Sequence, residues 1–512
     1  MNAITNDLVA FEPLLLCGRE LFNVARGTRS FGTSLFRLGP GGGGIISTNN
    51  GKSQQQMADV AMQAIRSLSV AQHSEVLVRG WVCSVQAHKK QTFVFVRDGA
   101  SPCDRIQVVI PVAPDGEEEE KNGCSKLELE SYVQVAGQLV ERKQKTGHLF
   151  EILALEVQVL SRAAGDFAQR CPPNASLQHD LEYRHLTVRS QRAGAIVKLR
   201  ALLVAAIRRT LERMGCVETF PPCFVSNQCE GGATLFALQH PPNKRGSDPI
   251  DAYLTQSSQF YLEMALPAVG DCYCIYPSFR AEKSHTRRHL TEFLHAECEW
   301  RDVHSLEDHL DKLRALVAGI LADFLALDVD DLLTFFGRRE AIEAFQKMEV
   351  RVVTHQQAIA LCREFEIYGE EETKTHFGPR DDIPEKQERA LIDRLNCIVL
   401  LCGFPREFKS FYMAADPADP SRVLGCDVEV PGVGEIIGSG VRVSSVEDLV
   451  ARLKEQGLKE EEYTEYIDLR KYGFGFTSGM GLGVDRMLTW LLGLDNIKEA
   501  VTFPRFPGYL RP

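Results

Sequence analysis

One stretch, residues 271–300, constrains the fold more than any other part of the chain. Two runs inside it, residues 272–279 and 292–300, alternate apolar and other side chains with the two-residue period of β-strands. A short loop rich in basic side chains, residues 283–289, separates them. The pattern predicts an antiparallel hairpin. Because charges are costly to bury without partners, their density on these strands predicts a lined cleft.

The side chains of this hairpin suit a phosphorylated ligand that carries a ring. Arg280 offers a planar fork that matches a pair of phosphate oxygens, and Phe293 offers a ring face for a base. An amphipathic surface hairpin with solvated charges is the alternative, because an isolated Arg-x-Glu such as Arg280 to Glu282 is common by chance.

Composition bounds the class of protein. A chain of 512 residues is too long for a single core, which predicts two or three domains. No apolar run approaches bilayer thickness, so we expect no membrane span. The fifteen cysteines are scattered and suit neither a zinc site nor a disulfide framework, which predicts a reducing compartment, the cytoplasm. The net charge of −11 argues against a protein that coats nucleic acid, although a local basic patch would still bind it.

The residue pattern divides the part of the chain before residue 189 into three segments. Residues 1–70 predict a flexible N-terminal extension with one helix over residues 57–68, and their arginines leave organellar targeting open. Residues 71–162 read as about five short strands, which predicts a small all-β barrel of the OB type. Residues 163–188 are polar and contain Pro172 and Pro173, which predicts a hinge before a larger domain at residues 189–512.

The larger domain contains three further patterns. A long amphipathic helix over residues 193–214 ends at Gly215, and an edge strand with Pro222 follows it. Asp427 and Glu435 stand beside glycines, and carboxylates near a polyphosphate suit Mg²⁺, although a turn residue is the alternative for Asp427. A glycine-rich turn over residues 479–483 lets backbone approach a ligand, and Arg486 follows at a helix start.

Three segments resemble the signature motifs of the class II aminoacyl-tRNA synthetases, in the aspartyl/asparaginyl/lysyl subgroup. The segment around Pro222 resembles the first motif, residues 279–282 with 286–293 the second, and residues 479–486 the third. The resemblance covers roughly residues 75–512 in the right order, too much for chance matches. It implies an α+β fold: a class II catalytic domain, with an antiparallel sheet flanked by helices, preceded by an OB-fold barrel that binds the anticodon.

The resemblance also implies a site for ATP and Mg²⁺. The implied catalytic residues are Arg280, Glu282, His289 and Arg486. The implied ATP-binding residues are these four together with Leu290, Phe293 and Glu435. The implied ligands of Mg²⁺ are Glu435 and Asp427. One departure is Thr477, which stands where the family usually has His.

Partners follow from the same resemblance. The implied residues for the substrate amino acid are Glu230, Gln259, Arg280, Glu297 and Arg442. Phe93 would stack on an anticodon base and Gln107 would hydrogen-bond one, although Phe93 could instead be a barrel-core residue. Pro222 would lie in the interface of a homodimer.

Two positions predict the substrate. Aspartyl members carry lysine where this chain has Leu262, and Asp where it has Glu297. An amide needs a donor and an acceptor, whereas a carboxylate wants cations, so we expect activation of asparagine with ATP and its transfer to tRNA(Asn). Three alternatives stay open: Leu262 and Glu297 could be structural, the chain could charge aspartate, or it could be a catalytically silent RNA-binding or scaffold paralogue, which Thr477 favours.

Overall fold

A computed structural model describes most of the chain after residue 44. The described residues are 45–47, 64–68, 75–99, 104–111, 127–142, 150–226, 229, 235–240, 250–281, 286–370 and 372–511. The expected roles of Glu230 and Glu282 fall outside them. Among the described residues, no helix combines the length and apolar character that crossing a bilayer requires.

The N-terminal part is a closed barrel. Its strands are β1 (Ile45–Ser47), β2 (Glu75–Ala87), β3 (Gln91–Arg97), β4 (Arg105–Pro111), β5 (Tyr132–Glu141) and β6 (Phe150–Ser161). The order is β1-β6-β4-β3-β2-β5, and β5 also pairs with β6, which closes the sheet on itself. Every second residue of β3 is buried, because alternate side chains of a strand point to opposite faces. Valines and isoleucines from β2 to β6 fill the interior.

Two pieces of the expected N-terminal extension contact this barrel. Strand β1 pairs antiparallel with β6, Ile45 opposite Gln158. Ile65 is buried in the barrel core, and its N–H donates to Oδ2 of Asp98 over 2.8 Å. Within residues 57–68, the described portion forms a single 3₁₀ turn, Ile65–Ser67, rather than a helix of several turns.

A large mixed sheet organises the rest of the chain. Its region contains the strands β7 (Val217–Glu218), β8 (Phe224–Val225), β9 (Ala237–His240), β10 (Ile250–Leu254), β11 (Cys272–Phe279), β12 (Glu292–Arg301), β13 (Val350–Thr354), β14 (Ile398–Cys402), β15 (Gly425–Val430), β16 (Gly434–Val441) and β17 (Thr477–Gly483). Eight of them form the main sheet in the order β13-β14-β15-β16-β17-β12-β11-β7. Only its outer pairs, β13–β14 and β11–β7, are parallel. Strands β8, β10 and β9 form a separate small sheet.

Helices connect the strands of the main sheet in sequence and pack against it. They are α1 (Phe167–Arg170), α2 (Leu177–Glu182), α3 (Arg184–Thr187), α4 (Gln191–Arg213), α5 (Gln259–Val269), α6 (Leu306–Leu325), α7 (Asp330–Phe336), α8 (Arg339–Phe345), α9 (His355–Glu364), α10 (Glu385–Leu395), α11 (Val446–Glu455), α12 (Thr464–Lys471), α13 (Val484–Leu492) and α14 (Ile497–Ala500). The expected long helix is α4. Ser190 caps its start, its buried residues recur every three or four positions, and the chain leaves it through Gly215 at φ +86°.

The prediction of a glycine-rich turn over residues 479–483 is wrong. This segment belongs to the central strand β17, which lies between β16 and β12. A Cβ on Gly479 would overlap the carboxylate of Glu299, and one on Gly481 would overlap the ring of His295. The glycines therefore make room for large polar side chains of the neighbouring strand, and this keeps the middle of the sheet open as a floor for ligands.

Candidate active site

The hairpin forms as expected and builds one wall of a cleft. Strands β11 and β12 pair antiparallel, with Cys274 opposite Glu297 and Phe279 opposite Glu292. Since side chains two apart on a strand share a face, Phe293, His295 and Glu297 point to the same side. Gly483 and Gly481 of β17 lie opposite His295 and Glu297, and without side chains they leave this face of the sheet uncovered.

Two adjoining cavities lie over this floor. The first is lined by Arg280, Arg288, His289, Leu290, Phe293, His295, Glu435, Ile436, Gly481, Gly483, Asp485, Arg486 and Ile497. The second is lined by Ser257, Gln259, Arg280, His295, Glu297, Glu299, Phe408, Lys409, Ser410, Tyr412, Met413, Asp427, Glu435, Gly438, Ser439, Arg442, Met480 and Gly481. Arg280, His295, Glu435 and Gly481 line both. We call them the nucleotide cavity and the amino-acid cavity.

Cations and a ring line the nucleotide cavity. The guanidinium carbon of Arg280 lies 5.4 Å from the ring centroid of Phe293. Arg486 donates to the backbone oxygen of Glu435 over 3.0 Å and to its Oε2 over 3.1 Å. Nδ1 of His289 lies 2.6 Å from Oγ1 of Thr286. Cationic groups facing an aromatic ring can hold a polyphosphate and a base in one cavity.

The charge at the junction of the cavities is fixed by neighbours. Although burial opposes ionisation, Arg486, Lys409 and Arg280 lower the pKa of Glu435 to about 2. Burial raises the pKa of Asp427 to about 6, while its ion pair with Lys409 opposes that change. The sequence pattern gave no sign of Lys409, which lies in a loop between strands.

The two carboxylates expected to bind Mg²⁺ converge on one point. Oδ2 of Asp427 accepts from Lys409, and Oε2 of Glu435 accepts from Arg486. A Cβ on Gly438 would lie 3.0 Å from Oε1 of Glu435 and 3.9 Å from Oδ1 of Asp427. These two oxygens thus flank a space that any side chain at position 438 would fill. They fit a hard divalent cation, whose remaining ligands would be phosphate and water oxygens. No cluster of three or more His, Cys, Asp or Glu in the described ranges could hold a metal by itself.

The far end of the amino-acid cavity presents a carboxylate and a guanidinium. Glu297 accepts from the hydroxyl of Ser257 and, over 2.8 Å, from the backbone N–H of Ser258. Arg442 makes a bidentate ion pair with Glu299, with Nε 3.1 Å from Oε2. Both groups are held by partners that leave little freedom to rotate. This end can therefore offer an acceptor and a donor to one ligand.

The structure separates the two positions used to predict the substrate. Leu262 is completely buried with Leu266, Cys272 and Cys274 and does not line the amino-acid cavity, so the structural alternative is correct for that residue. Glu297 does line it.

The arginine at this end of the amino-acid cavity pairs with a carboxylate other than Glu297. Arg442 pairs with Glu299, and the described residues show no ion pair between Glu297 and an arginine. Because side chains two apart on a strand share a face, the period of β12 could have identified Glu299 as a second carboxylate of the amino-acid cavity.

Other expected residues lie away from the cleft. Thr477 is buried, contributes to neither cavity lining, and accepts from the backbone N–H of Arg442 through its own carbonyl. Pro222 is exposed between Phe220 and Phe224, which are 73% and 61% exposed.

The two expected anticodon residues share a face of the barrel. Phe93 alternates with the buried Thr92 and Val94 and therefore points outward, with its ring 5.5 Å from that of His88. Gln107 lies on the adjacent strand β4, and its amide donates to Glu151 over 2.9 Å. Phe93 is not part of the barrel core.

Comparison with known families agrees with this architecture. The family model for tRNA synthetases class II (D, K and N) matches residues 176–507, and that for the OB-fold nucleic acid binding domain matches residues 76–160. The expected α+β fold with an OB-fold barrel in front is confirmed.

Curated relatives and solved structures show which family within this class the chain resembles. The asparagine–tRNA ligase of Pyrococcus abyssi is 36% identical over 442 residues, covering 85% of this chain and 96% of that protein. The cytoplasmic asparagine–tRNA ligase of Debaryomyces hansenii is 34% identical over 477 residues, covering 91% and 82%. The crystal structure of Pyrococcus horikoshii asparaginyl-tRNA synthetase complexed with asparaginyl-adenylate superposes with a TM-score of 0.78 at 33% identity, covering 88% of this chain and all of that one. The chain therefore belongs to the class II aminoacyl-tRNA synthetases, and within them to the asparagine–tRNA ligase family.

Proposed function

We propose that the chain activates asparagine with ATP and transfers it to tRNA(Asn), the activity for which its relatives are named. One observation carries the proposal: a cavity suited to a nucleotide and a cavity suited to an amide meet at Arg280.

In the first step, an oxygen of the asparagine carboxylate attacks the α-phosphorus of ATP. The bond from that phosphorus to the bridging oxygen breaks, and pyrophosphate leaves. No side chain needs to form a covalent bond, so catalysis is positioning and charge stabilisation. Arg280 lies at the junction of the cavities, where it would contact both the α-phosphate and the carboxylate.

The rest of the nucleotide cavity would hold the base and the outer phosphates. His289, Arg288 and Arg486 would bind phosphate oxygens, and Phe293 would stack on adenine with Leu290 beside it. Glu435 and Asp427 would hold Mg²⁺, which when bound offsets the charge that develops on the pyrophosphate. Glu282 keeps its expected place beside adenine as a prediction.

The amino-acid cavity discriminates by charge. Arg442 would donate to the side-chain carbonyl oxygen of asparagine, and Glu297 would accept from the amide nitrogen. An aspartate carboxylate would meet the like charge of Glu297 instead, which costs several kcal/mol when water is excluded. Gln259 would contact the backbone groups of the substrate, and Glu230, beyond the described residues, keeps its expected role at the ammonium group.

In the second step, the terminal ribose hydroxyl of the tRNA attacks the adenylate carbonyl, and AMP leaves. Phe93 and Gln107 on the barrel would read the anticodon. Residues 71–162 would therefore recognise the tRNA, and residues 189–512 would carry out both chemical steps.

We also propose a homodimer, with its interface at the exposed segment around Pro222. From the name of the Debaryomyces relative, we propose a cytoplasmic location.

Pyrophosphate exchange against a panel of amino acids tests the function. We expect exchange with asparagine and little with aspartate or lysine. Equal exchange with aspartate would favour the aspartyl alternative, and no exchange with any amino acid would favour a silent paralogue.

A further inference from the structure

A buried polar cluster lies directly behind the amino-acid cavity. It consists of Glu263 on α5 and of Tyr466 and Arg470 on α12. The side chains of Glu263 and Arg470 are completely buried, and Tyr466 is 2% exposed. None of the three lines the amino-acid cavity. Any effect of the cluster on asparagine must therefore act through other residues.

The cluster is closed by hydrogen bonds. The hydroxyl of Tyr466 lies 2.8 and 2.9 Å from the two carboxylate oxygens of Glu263, and Arg470 donates to Oε2 over 2.6 Å. The guanidinium of Arg470 also stacks on the Tyr466 ring at 4.0 Å. Burial raises the pKa of Tyr466 well above its ordinary value, so its hydroxyl remains a donor.

One contact links the cluster to Gln259. The amide nitrogen of Gln259 donates to Oε1 of Glu263 over 2.9 Å. A carboxylate only accepts hydrogen bonds, whereas an amide has one donor group and one acceptor. Glu263 therefore dictates which way the Gln259 amide points: its NH₂ faces the cluster, and its carbonyl oxygen is left for the cavity.

A second set of contacts links the cluster to Arg442. Oε1 of Glu263 lies 3.8 Å from Nε of Arg442, the same nitrogen that donates to Oε2 of Glu299. Nε of Arg470 donates over 3.0 Å to the backbone oxygen of Val443, the next residue in the chain. The cluster thus contacts Arg442 through its side chain and fixes the backbone beside it.

We propose that Glu263, Tyr466 and Arg470 form a positioning unit for asparagine recognition, which orients the carbonyl oxygen of Gln259 toward the N–H donors of the substrate and holds Arg442 in place. A reversed Gln259 amide would present N–H groups to N–H groups and lose the hydrogen bond. The inference rests on the proposed function and adds residues that never touch the substrate.

Steady-state pyrophosphate exchange with Tyr466→Phe tests the unit, because this change removes one hydroxyl and keeps the ring. We expect the KM for asparagine to rise about tenfold, equivalent to ~1.4 kcal/mol, with the KM for ATP unchanged within about twofold. The matched control is Thr210→Val. It removes another buried hydroxyl, which donates to Asp323 over 2.6 Å outside both cavity linings, and it should change neither KM.

A double-mutant cycle separates positioning from general stability. Glu263→Gln allows the Gln259 amide to reverse, so we expect a rise in the KM for asparagine that largely disappears in a Gln259→Ala background. If Glu263→Gln does not fold, the same cycle uses Tyr466→Phe.

Two outcomes overturn the inference: an unchanged KM for asparagine in Tyr466→Phe, or equal increases of both KM values. A parent enzyme without asparagine-dependent exchange would instead refute the proposed function itself.

Discussion

The backbone N–H of Ser258 donates to Oε2 of Glu297 over 2.8 Å, which ties the turn before α5 to the middle of β12. The hydroxyl of Ser257 binds the other carboxylate oxygen. Glu297 cannot rotate without breaking both bonds, so a negative charge is held at the far end of the amino-acid cavity before any ligand arrives.

Arg280 is the arginine that lines both cavities, so its loss should stop adenylate formation. We expect Arg280→Ala to reduce asparagine-dependent exchange by a factor on the order of a thousand, because a preorganised cation at the reacting phosphate is lost. The thermal unfolding midpoint should stay near that of the parent. The control is Arg301→Ala, whose side chain is 63% exposed, and exchange by Arg280→Ala at the parent rate would contradict the assignment.

Phe93 separates tRNA recognition from chemistry. Its ring points outward from β3, so Phe93→Ala should weaken charging of tRNA(Asn) by about 1–3 kcal/mol and leave exchange without tRNA unchanged. Phe150→Ala is the control, because Phe150 packs against the barrel core and its loss should appear first as a lower unfolding temperature. Equal losses of exchange and charging in Phe93→Ala would refute stacking on a base.

The surface at Pro222 should be an interface. Phe220 and Phe224 are largely exposed on either side of it, which is unfavourable for a monomer in water. Light scattering should give twice the chain mass for the parent and a lower mass for Phe220→Asp, while Phe335→Asp, at an exposed phenylalanine of α7, leaves the dimer intact. A fully active monomer at micromolar concentration would count against this interface.

His309 predicts how stability depends on pH. Its ring lies between Ser478 and Ser439, at 3.0 and 2.9 Å, and burial lowers its pKa from 6.5 to about 3. The unfolded chain therefore binds a proton that the folded chain does not. Because of this difference in proton binding, the contribution of His309 to the free energy of unfolding is highest above pH 6.5. It decreases as the pH falls, by about 2 kcal/mol between pH 6.5 and 5.

Denaturant unfolding at several pH values measures this slope. His309→Gln keeps a donor and an acceptor but cannot titrate, so its free energy of unfolding should fall less steeply below pH 6.5 than that of the parent. The exposed His88→Gln should follow the parent. A slope in His309→Gln as steep as in the parent would show that other groups dominate.

Short-range patterns were sufficient for much of the fold. The alternation in residues 271–300 predicted the hairpin, and the 3.6-residue period predicted α4 because both depend on neighbours in sequence. The glycines of β17 led to the wrong prediction of a turn. They are needed because any side chain there would overlap His295 and Glu299 from another strand, and a local pattern does not contain that information.

The site was predicted less completely than the fold. Arg280, Glu297, Arg442, Glu435 and Asp427 were identified, and the structure gathers them around one cavity. Lys409 and the cluster at Glu263 were missed, because their partners are 18 or about 200 positions away in the chain. Leu262 was placed in the wrong environment, since a helix position does not reveal which neighbour it faces.

The ratio of asparagine to aspartate activation in the parent and in Glu297→Ala tests the central claim most directly. Exchange kinetics should give the parent a preference on the order of a thousandfold for asparagine. Glu297→Ala should lower kcat/KM for asparagine far more than for aspartate, because only asparagine loses an acceptor while aspartate loses a like charge. Glu307→Ala, at a side chain 69% exposed, should keep the parent ratio. A parent that activates both amino acids equally, or a ratio that Glu297→Ala leaves unchanged, would contradict the account.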